Sequence, residues 1–172
     1  MHKLLAAVSL LGLLSGCGVG IPANVKAVEG FDAKRYAGTW YEIARLENRF
    51  EKGLEKVAAE YSLRDDGGLT VVNRGYDPKK GRWNEATGKA YFVGPPTQGR
   101  LKVSFFGPFY GAYNVISLDE NYGWSLVCGK DYAYLWILSR TPQLPDLVVK
   151  QLVEKAKELG FKTDALVFVN QQ

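Results

Sequence analysis

From Gly38 to Arg140 the chain alternates. Short runs rich in Val, Tyr, Phe and Trp are broken by Gly, Asp or Pro at intervals of about ten residues, the pattern of half-buried strands joined by tight turns. It predicts strands near 39–46, 57–64, 69–76, 83–93, 100–106, 112–118, 122–128 and 133–140. The breaks carry turn chemistry. Asp65-Asp66-Gly67-Gly68 is a hairpin signal, because Asp and Gly tolerate the positive φ that such turns need. Asp77-Pro78-Lys79-Lys80-Gly81, Gly94-Pro95-Pro96 and Asp119-Glu120-Asn121 read the same way. The stretch Glu47 to Lys56 is longer and more polar, and suits a loop over an open end.

Two segments break the alternation. Asp32 precedes Ala33-Lys34-Arg35-Tyr36 as a helix cap would. Between Pro145-Asp146 and Gly160, Val148, Leu152, Ala156 and Leu159 recur at helical spacing, with Lys150, Glu154, Lys157 and Glu158 mostly opposite. Such a helix can lie on a membrane or pack outside a sheet. The second arrangement suits the apolar run that follows it, Ala165-Leu166-Val167-Phe168-Val169, which reads as a short ninth strand.

The expected fold is all-β, an eight-stranded antiparallel up-and-down barrel with one C-terminal helix packed outside. Closing the sheet removes its edges. At this strand number the interior is either filled by side chains or holds one small ligand. Alternation turns Ala59, Tyr61, Val71, Phe92, Val103, Phe105, Tyr113, Val115 and Trp136 to one side, with Val57, Asn73, Tyr134 and Leu138, and places Glu60, Arg64, Lys102 and Asn114 on the other. Ala44, Ala59 and Ala90 are small among large neighbours. An interior lined this way is apolar with a few hydroxyls and suits a lipid chain. Patterning alone leaves a filled core equally open. Gly38-Thr39-Trp40 opens the first strand and Arg140 ends the eighth. A guanidinium can lie across an indole face, so Trp40 and Arg140 are expected to seal the closed end rather than touch a ligand.

Composition narrows the chemistry. The only histidine is His2 and the only cysteines are Cys17 and Cys128. The start of the chain has Lys3, then an uncharged stretch from Leu4 to Leu14, then Ser15-Gly16. That is a secretory signal, too short to span a bilayer, which needs about 20 apolar residues. Cleavage would remove His2, and with it Ser-His-Asp, Cys-His and His-metal chemistry. The net charge of +4 falls by one with Lys3. The densest basic cluster, Lys79, Lys80 and Arg82, lies in a turn and is too short for a nucleic-acid face. Cys128 has no adjacent histidine to lower its pKa and reads as structural. Asp65-Asp66 and Asp119-Glu120 sit where turns favour acids anyway. No catalytic residue, metal ligand or cofactor is assigned.

Two resemblances sharpen this picture. Leu14-Ser15-Gly16-Cys17 resembles the lipobox of bacterial lipoproteins, the alternative being an ordinary signal peptide followed by a cysteine. The resemblance implies a signal peptide at 1–16, acylation at Cys17 and a lipidated tether over 17–30. Gly18, not Asp, stands after the cysteine, which implies the outer membrane. Gly38-Thr39-Trp40-Tyr41-Glu42-Ile43, Tyr113-Asn114-Val115-Ile116-Ser117-Leu118-Asp119 with Tyr122, and Leu138-Ser139-Arg140-Thr141-Pro142 resemble the three motifs of lipocalins in order and spacing. A lipocalin domain over 31–172 is implied, most similar to the bacterial outer-membrane branch. That branch implies storage or transport of lysophospholipids and fatty acids for envelope upkeep under stress, and a homodimer. The anchor would lie on the periplasmic face. A lipocalin-fold enzyme and a filled, purely structural barrel remain the alternatives.

Overall fold

The computed structural model describes residues 19–172. The signal at 1–16 and the lipidation expected at Cys17 lie outside the described residues. After α1 (Ala33–Tyr36) come β1 (Gly38–Leu46), β2 (Glu55–Leu63), β3 (Leu69–Asp77), β4 (Arg82–Phe92), β5 (Arg100–Phe106), β6 (Phe109–Leu118), β7 (Trp124–Cys128) and β8 (Leu135–Ser139). Then follow α2 (Asp146–Glu158), a 3-10 turn (Thr163–Ala165) and β9 (Leu166–Phe168). Each of the first eight strands pairs antiparallel with its neighbours in sequence, and β1 closes the ring by pairing with both β2 and β8.

β1 and β2 pair only over Gly38–Tyr41 and Ala58–Tyr61 and then part. The C-terminus bridges that gap. β9 pairs with Ala44–Leu46. Asn170 accepts from the Lys56 N–H at 2.7 Å, and the Gln171 amide donates to the carbonyls of Glu42 and Val57, each at 2.8 Å. The ninth strand is shorter than the run Ala165–Val169 suggested, because Thr163–Ala165 coils before it. β6 starts three residues earlier than expected, at Phe109, because Phe106 and Phe109 pair across a tight Gly107-Pro108 turn.

Two apolar layers hold the molecule together. One fills the lower barrel. The other lies between the outer wall and α2, where Leu152 and Ala156 bury against Ile43, Leu46, Ile116, Leu126 and Ile137. The helix therefore packs outside the sheet, and the Gly160 conformation (φ +98°) lets the chain turn back so that Phe161 joins the same layer. Asp32 caps α1, accepting from the Lys34 N–H at 2.8 Å.

Residues 19–30, expected as part of a tether over 17–30, are bound to the barrel wall. Val25 is buried and Ile21 packs on the outer layer. The Gly20 carbonyl accepts from Asn114 Nδ2 at 3.0 Å, and Ala23 accepts from the Tyr132 hydroxyl. Val28 donates to Val115 at 2.8 Å and accepts from Gly99 at 2.9 Å, and Phe31 donates to Thr97 at 2.8 Å. The segment runs down the barrel wall from one end to the other. Asn114, expected on a solvated face, is buried beneath it and also donates to the Gly129 carbonyl at 3.1 Å.

Candidate functional site

Strand polarity divides the barrel into two ends. The connections 64–68, 93–99 and 119–123, with the start of β1 and the end of β8, lie at one end. The connections 47–54, 78–81, 107–108 and 129–134 lie at the other. The first end is closed. Trp40 is fully buried, and its indole N–H donates to the Tyr36 carbonyl at 2.8 Å. The Arg140 guanidinium stacks on that ring, its central carbon 4.0 Å from the ring centroid. It donates to the carbonyls of Thr39 (2.9 Å), Arg35 (2.7 Å) and Ala37 (2.9 Å). Gly38 (φ +100°) sits against it, and a Cβ there would stand 3.2 Å from Nη1.

Above this floor lies a chain of hydroxyls. Tyr61 donates to Tyr113 at 2.9 Å, Tyr113 and Tyr36 are 2.7 Å apart, and Tyr36 lies 3.3 Å from Ser125. One direction of donation, Tyr61 to Tyr113 to Tyr36 to Ser125, satisfies every oxygen. Burial pushes the Tyr36 hydroxyl up to about 12 and raises Tyr61 and Tyr113 as well. The network is neutral at physiological pH, a polar ring without charge.

The inward residues fall into two groups. Tyr61, Val71 and Val115 are sealed in the lower half, together with Leu69, Ala90 and Val127. Ala59, Phe92, Val103, Phe105, Tyr113 and Trp136 face inward yet remain only half-buried. Phe92 packs edge-on to Phe31 low in the barrel. These six side chains are less tightly covered than the sealed set. The register explains why. Val71 pairs with Gly88, Asn73 with Ala86, and Val103 with Gly111. In each pair the partner, Gly88, Ala86 or Gly111, carries almost no side chain. A Cβ on Gly88 would stand 2.7 Å from the Ser104 carbonyl and 2.8 Å from the Phe105 ring. The Asn73 carbonyl oxygen is buried in the same wall without a hydrogen bond in the protein. Ala44, noted among the small residues, belongs instead to the outer layer against α2.

That last difference comes from a bulge. The β1–β8 register shifts between Glu42 and Ala44, so Arg45 pairs with Trp136 and turns inward with Glu42. Alternation alone does not reveal the shift, and a buried pair at this mouth was missed. Arg45 is 1% exposed and Glu42 is 3% exposed. Arg45 Nη1 donates to Glu42 at 2.9 Å, and Nη2 donates to the Glu51 carbonyl at 2.8 Å and to Glu47 at 3.2 Å. The Glu51 side chain accepts from the Trp136 indole at 2.9 Å and from Asn48 at 2.6 Å. Arg45 thus folds the 47–54 loop over the lumen and ties it to the wall.

Burial, with the Glu51 carboxylate beside it, holds the Glu42 carboxyl well above the usual range, and Arg45 offsets this only in part. A carboxyl with a raised folded-state pKa binds its proton more tightly in the native state. Its contribution is complete below the ordinary glutamate value and is lost as pH rises through the folded value. Wild-type stability is therefore expected to fall with rising pH above about 4.5, by up to about 1.4 kcal/mol per pH unit for one proton. Glu42→Gln should remove that slope. Denaturant midpoints measured from pH 4 to 9 check this, and identical slopes would refute it.

The Cys128 thiol is fully buried. Burial, with Asp131 nearby, pushes it up to about 12, away from the thiolate that nucleophilic chemistry requires. Among the described residues, no group of His, Cys, Asp or Glu converges as metal ligands.

Comparison with known proteins agrees with this architecture. Residues 31–171 match the family model described as a lipocalin-like domain. The chain is 56% identical to outer membrane lipoprotein Blc of Escherichia coli K12 over 98% of its own length and 96% of that protein's. It is 53% identical to the protein of the same name from Vibrio cholerae, covering 93% of this chain and 94% of that one. In three dimensions it resembles insecticyanin from the tobacco hornworm Manduca sexta, with a TM-score of 0.71 at 23% identity, covering 88% of this chain and 87% of that one. The closed eight-stranded barrel, the Trp40–Arg140 floor and a family match over residues 31–171 make this chain a member of the lipocalin family.

Proposed function

We propose that the protein is a membrane-anchored carrier of single-chain lipids, lysophospholipids or fatty acids. The observation that carries this reading is the set of inward apolar side chains left half-buried above a sealed floor. An acyl chain entering that space leaves water, which contributes about 0.8 kcal/mol per CH₂. Ten methylenes would give roughly 8 kcal/mol before the cost of ordering the ligand. The reading needs no reaction. Acylation at Cys17 would hold the barrel at the periplasmic face of the outer membrane, in keeping with the names of the bacterial relatives. There it would store or move lipids during envelope maintenance under stress.

Displacement of a fluorescent fatty acid tests the carrier reading. Saturable binding at micromolar protein supports it, and its absence overturns it. Trp136→Ala and Tyr113→Ala are expected to weaken affinity more than Trp40→Ala at equal folded fraction, since Trp40 belongs to the floor. The reverse ranking would show that wall and floor are misassigned. Native mass spectrometry of protein extracted from its own membrane would weigh the bound lipid and the homodimer together.

A further inference from the structure

We infer that the open rim of the barrel is a membrane-docking surface, seated on an anionic phospholipid leaflet so that the lumen opens onto the bilayer. The inference rests on the anchored-carrier reading and adds to it an orientation. Three independent features of the rim point the same way.

The first is the route of the chain. Gly20 is tied through Asn114 to Gly129, and Ala23 is tied to Tyr132. Residues 129–134 connect β7 to β8 at the open end. Cys17 precedes Gly20 by three residues, so covalent geometry keeps the two within about 10 Å. From Gly20 onward the segment is bound to the wall and gives no slack. An acyl anchor on Cys17 therefore leaves the barrel beside its mouth, and the closed end points away.

The second is the distribution of exposed aromatic rings. Phe50 (64% exposed), Trp83 (58%), Phe106 (75%) and Phe109 (77%) belong to three different open-end connections or the residues beside them. Among the described residues, the closed-end connections carry no exposed aromatic ring. Four such rings on one end are costly in water and suited to a lipid interface. The third is charge. Lys52, Lys79, Lys80 and Arg82 are exposed on the same loops, whereas the closed-end turns carry Asp65, Asp66, Asp119 and Glu120. Basic residues beside aromatic rings match an anionic leaflet. Acidic turns do not.

The full chain, purified from membranes and confirmed by mass to be acylated, is reconstituted in vesicles of phosphatidylethanolamine with phosphatidylglycerol. A nitroxide is placed at Phe109→Cys or at Glu120→Cys; Cys128 is buried and takes no label. The label at 109 is expected to relax faster with oxygen than with an aqueous nickel complex, and the label at 120 to show the opposite. Two aqueous labels, or a deeper label at 120, would overturn the orientation. A mass without acyl chains would instead refute the anchor reading, and a second arm then still tests the rim. Residues 19–172, the folded unit without the anchor, are floated with the same vesicles. Phe106→Ser/Phe109→Ser is expected to reduce partitioning by about tenfold or more while leaving fatty-acid binding in solution unchanged. Unchanged flotation would overturn the proposal. So would unchanged flotation with an altered oligomeric state, which would assign the rim to a second copy of the chain.

Discussion

Arg45→Ala is expected to destabilise the protein by about 3–5 kcal/mol, the cost of removing one partner from a buried charge pair. The side chain is 1% exposed and holds Glu42, the Glu47 carboxylate and the Glu51 carbonyl at once. Truncation leaves Glu42 buried beside the Glu51 carboxylate without its cation and unties the 47–54 loop from the mouth. Two further results separate the electrostatic part from the packing part. The deficit should shrink as pH falls, because a protonated Glu42 no longer needs a cation. Glu42→Gln/Arg45→Ala should then be more stable at neutral pH than Arg45→Ala alone. Urea titrations of the three variants at pH 5 and pH 8 measure both. A deficit that does not change with pH, and is not relieved by the second substitution, would show that Arg45 acts only by filling space.

The largest effect on binding is expected from Gly111→Trp. Gly111 is exposed, has ordinary φ and pairs with Val103 on the inner face. The nearest atom to a Cβ built there is the Val103 carbonyl oxygen, at 4.0 Å. An indole can therefore enter the lumen from the open side without displacing the wall. Under the carrier reading, affinity for a fatty acid should fall by at least about tenfold, the equivalent of 1.4 kcal/mol. Thermal stability should stay within about 0.5 kcal/mol of wild type, as is usual for an exposed site. Gly88→Trp is the contrast. Its Cβ would already collide with Ser104 and Phe105, so it should lose stability as well as binding. Full-affinity binding by a folded Gly111→Trp protein would place the ligand elsewhere.

Much of this architecture is written in local patterns. The strands are legible because one side of each faces an apolar interior, which forces period-two alternation, as over Ala59–Glu60–Tyr61. The helix is legible because Val148, Leu152 and Ala156 must meet one outer layer. What alternation misses is non-local. The bulge between Glu42 and Ala44 lies where β1 has left β2 and pairs with both β8 and β9. It swaps an alanine out of the lumen and an arginine into its mouth. Likewise, Asn114 looks solvent-facing until residues 19–30 cover it. Neither fact follows from a window of ten residues. Which inward side chains are sealed and which stay half-buried is also settled only by closure, since Val71 and Val103 are alike in sequence and differ in burial.

The wall at Ala86 and Gly111 defines its space by omission. A pocket made by carving large residues to shape can be retuned only by disturbing what holds the fold. Here the floor, the outer layer against α2 and the Arg45 cluster hold the fold, while the wall positions Ala86 and Gly111 carry little or no side chain. Under the carrier reading, each methyl added at those positions would shorten the longest occupant without touching Trp40 or Arg140. The barrel is in this sense a gauge whose length can be reset one side chain at a time.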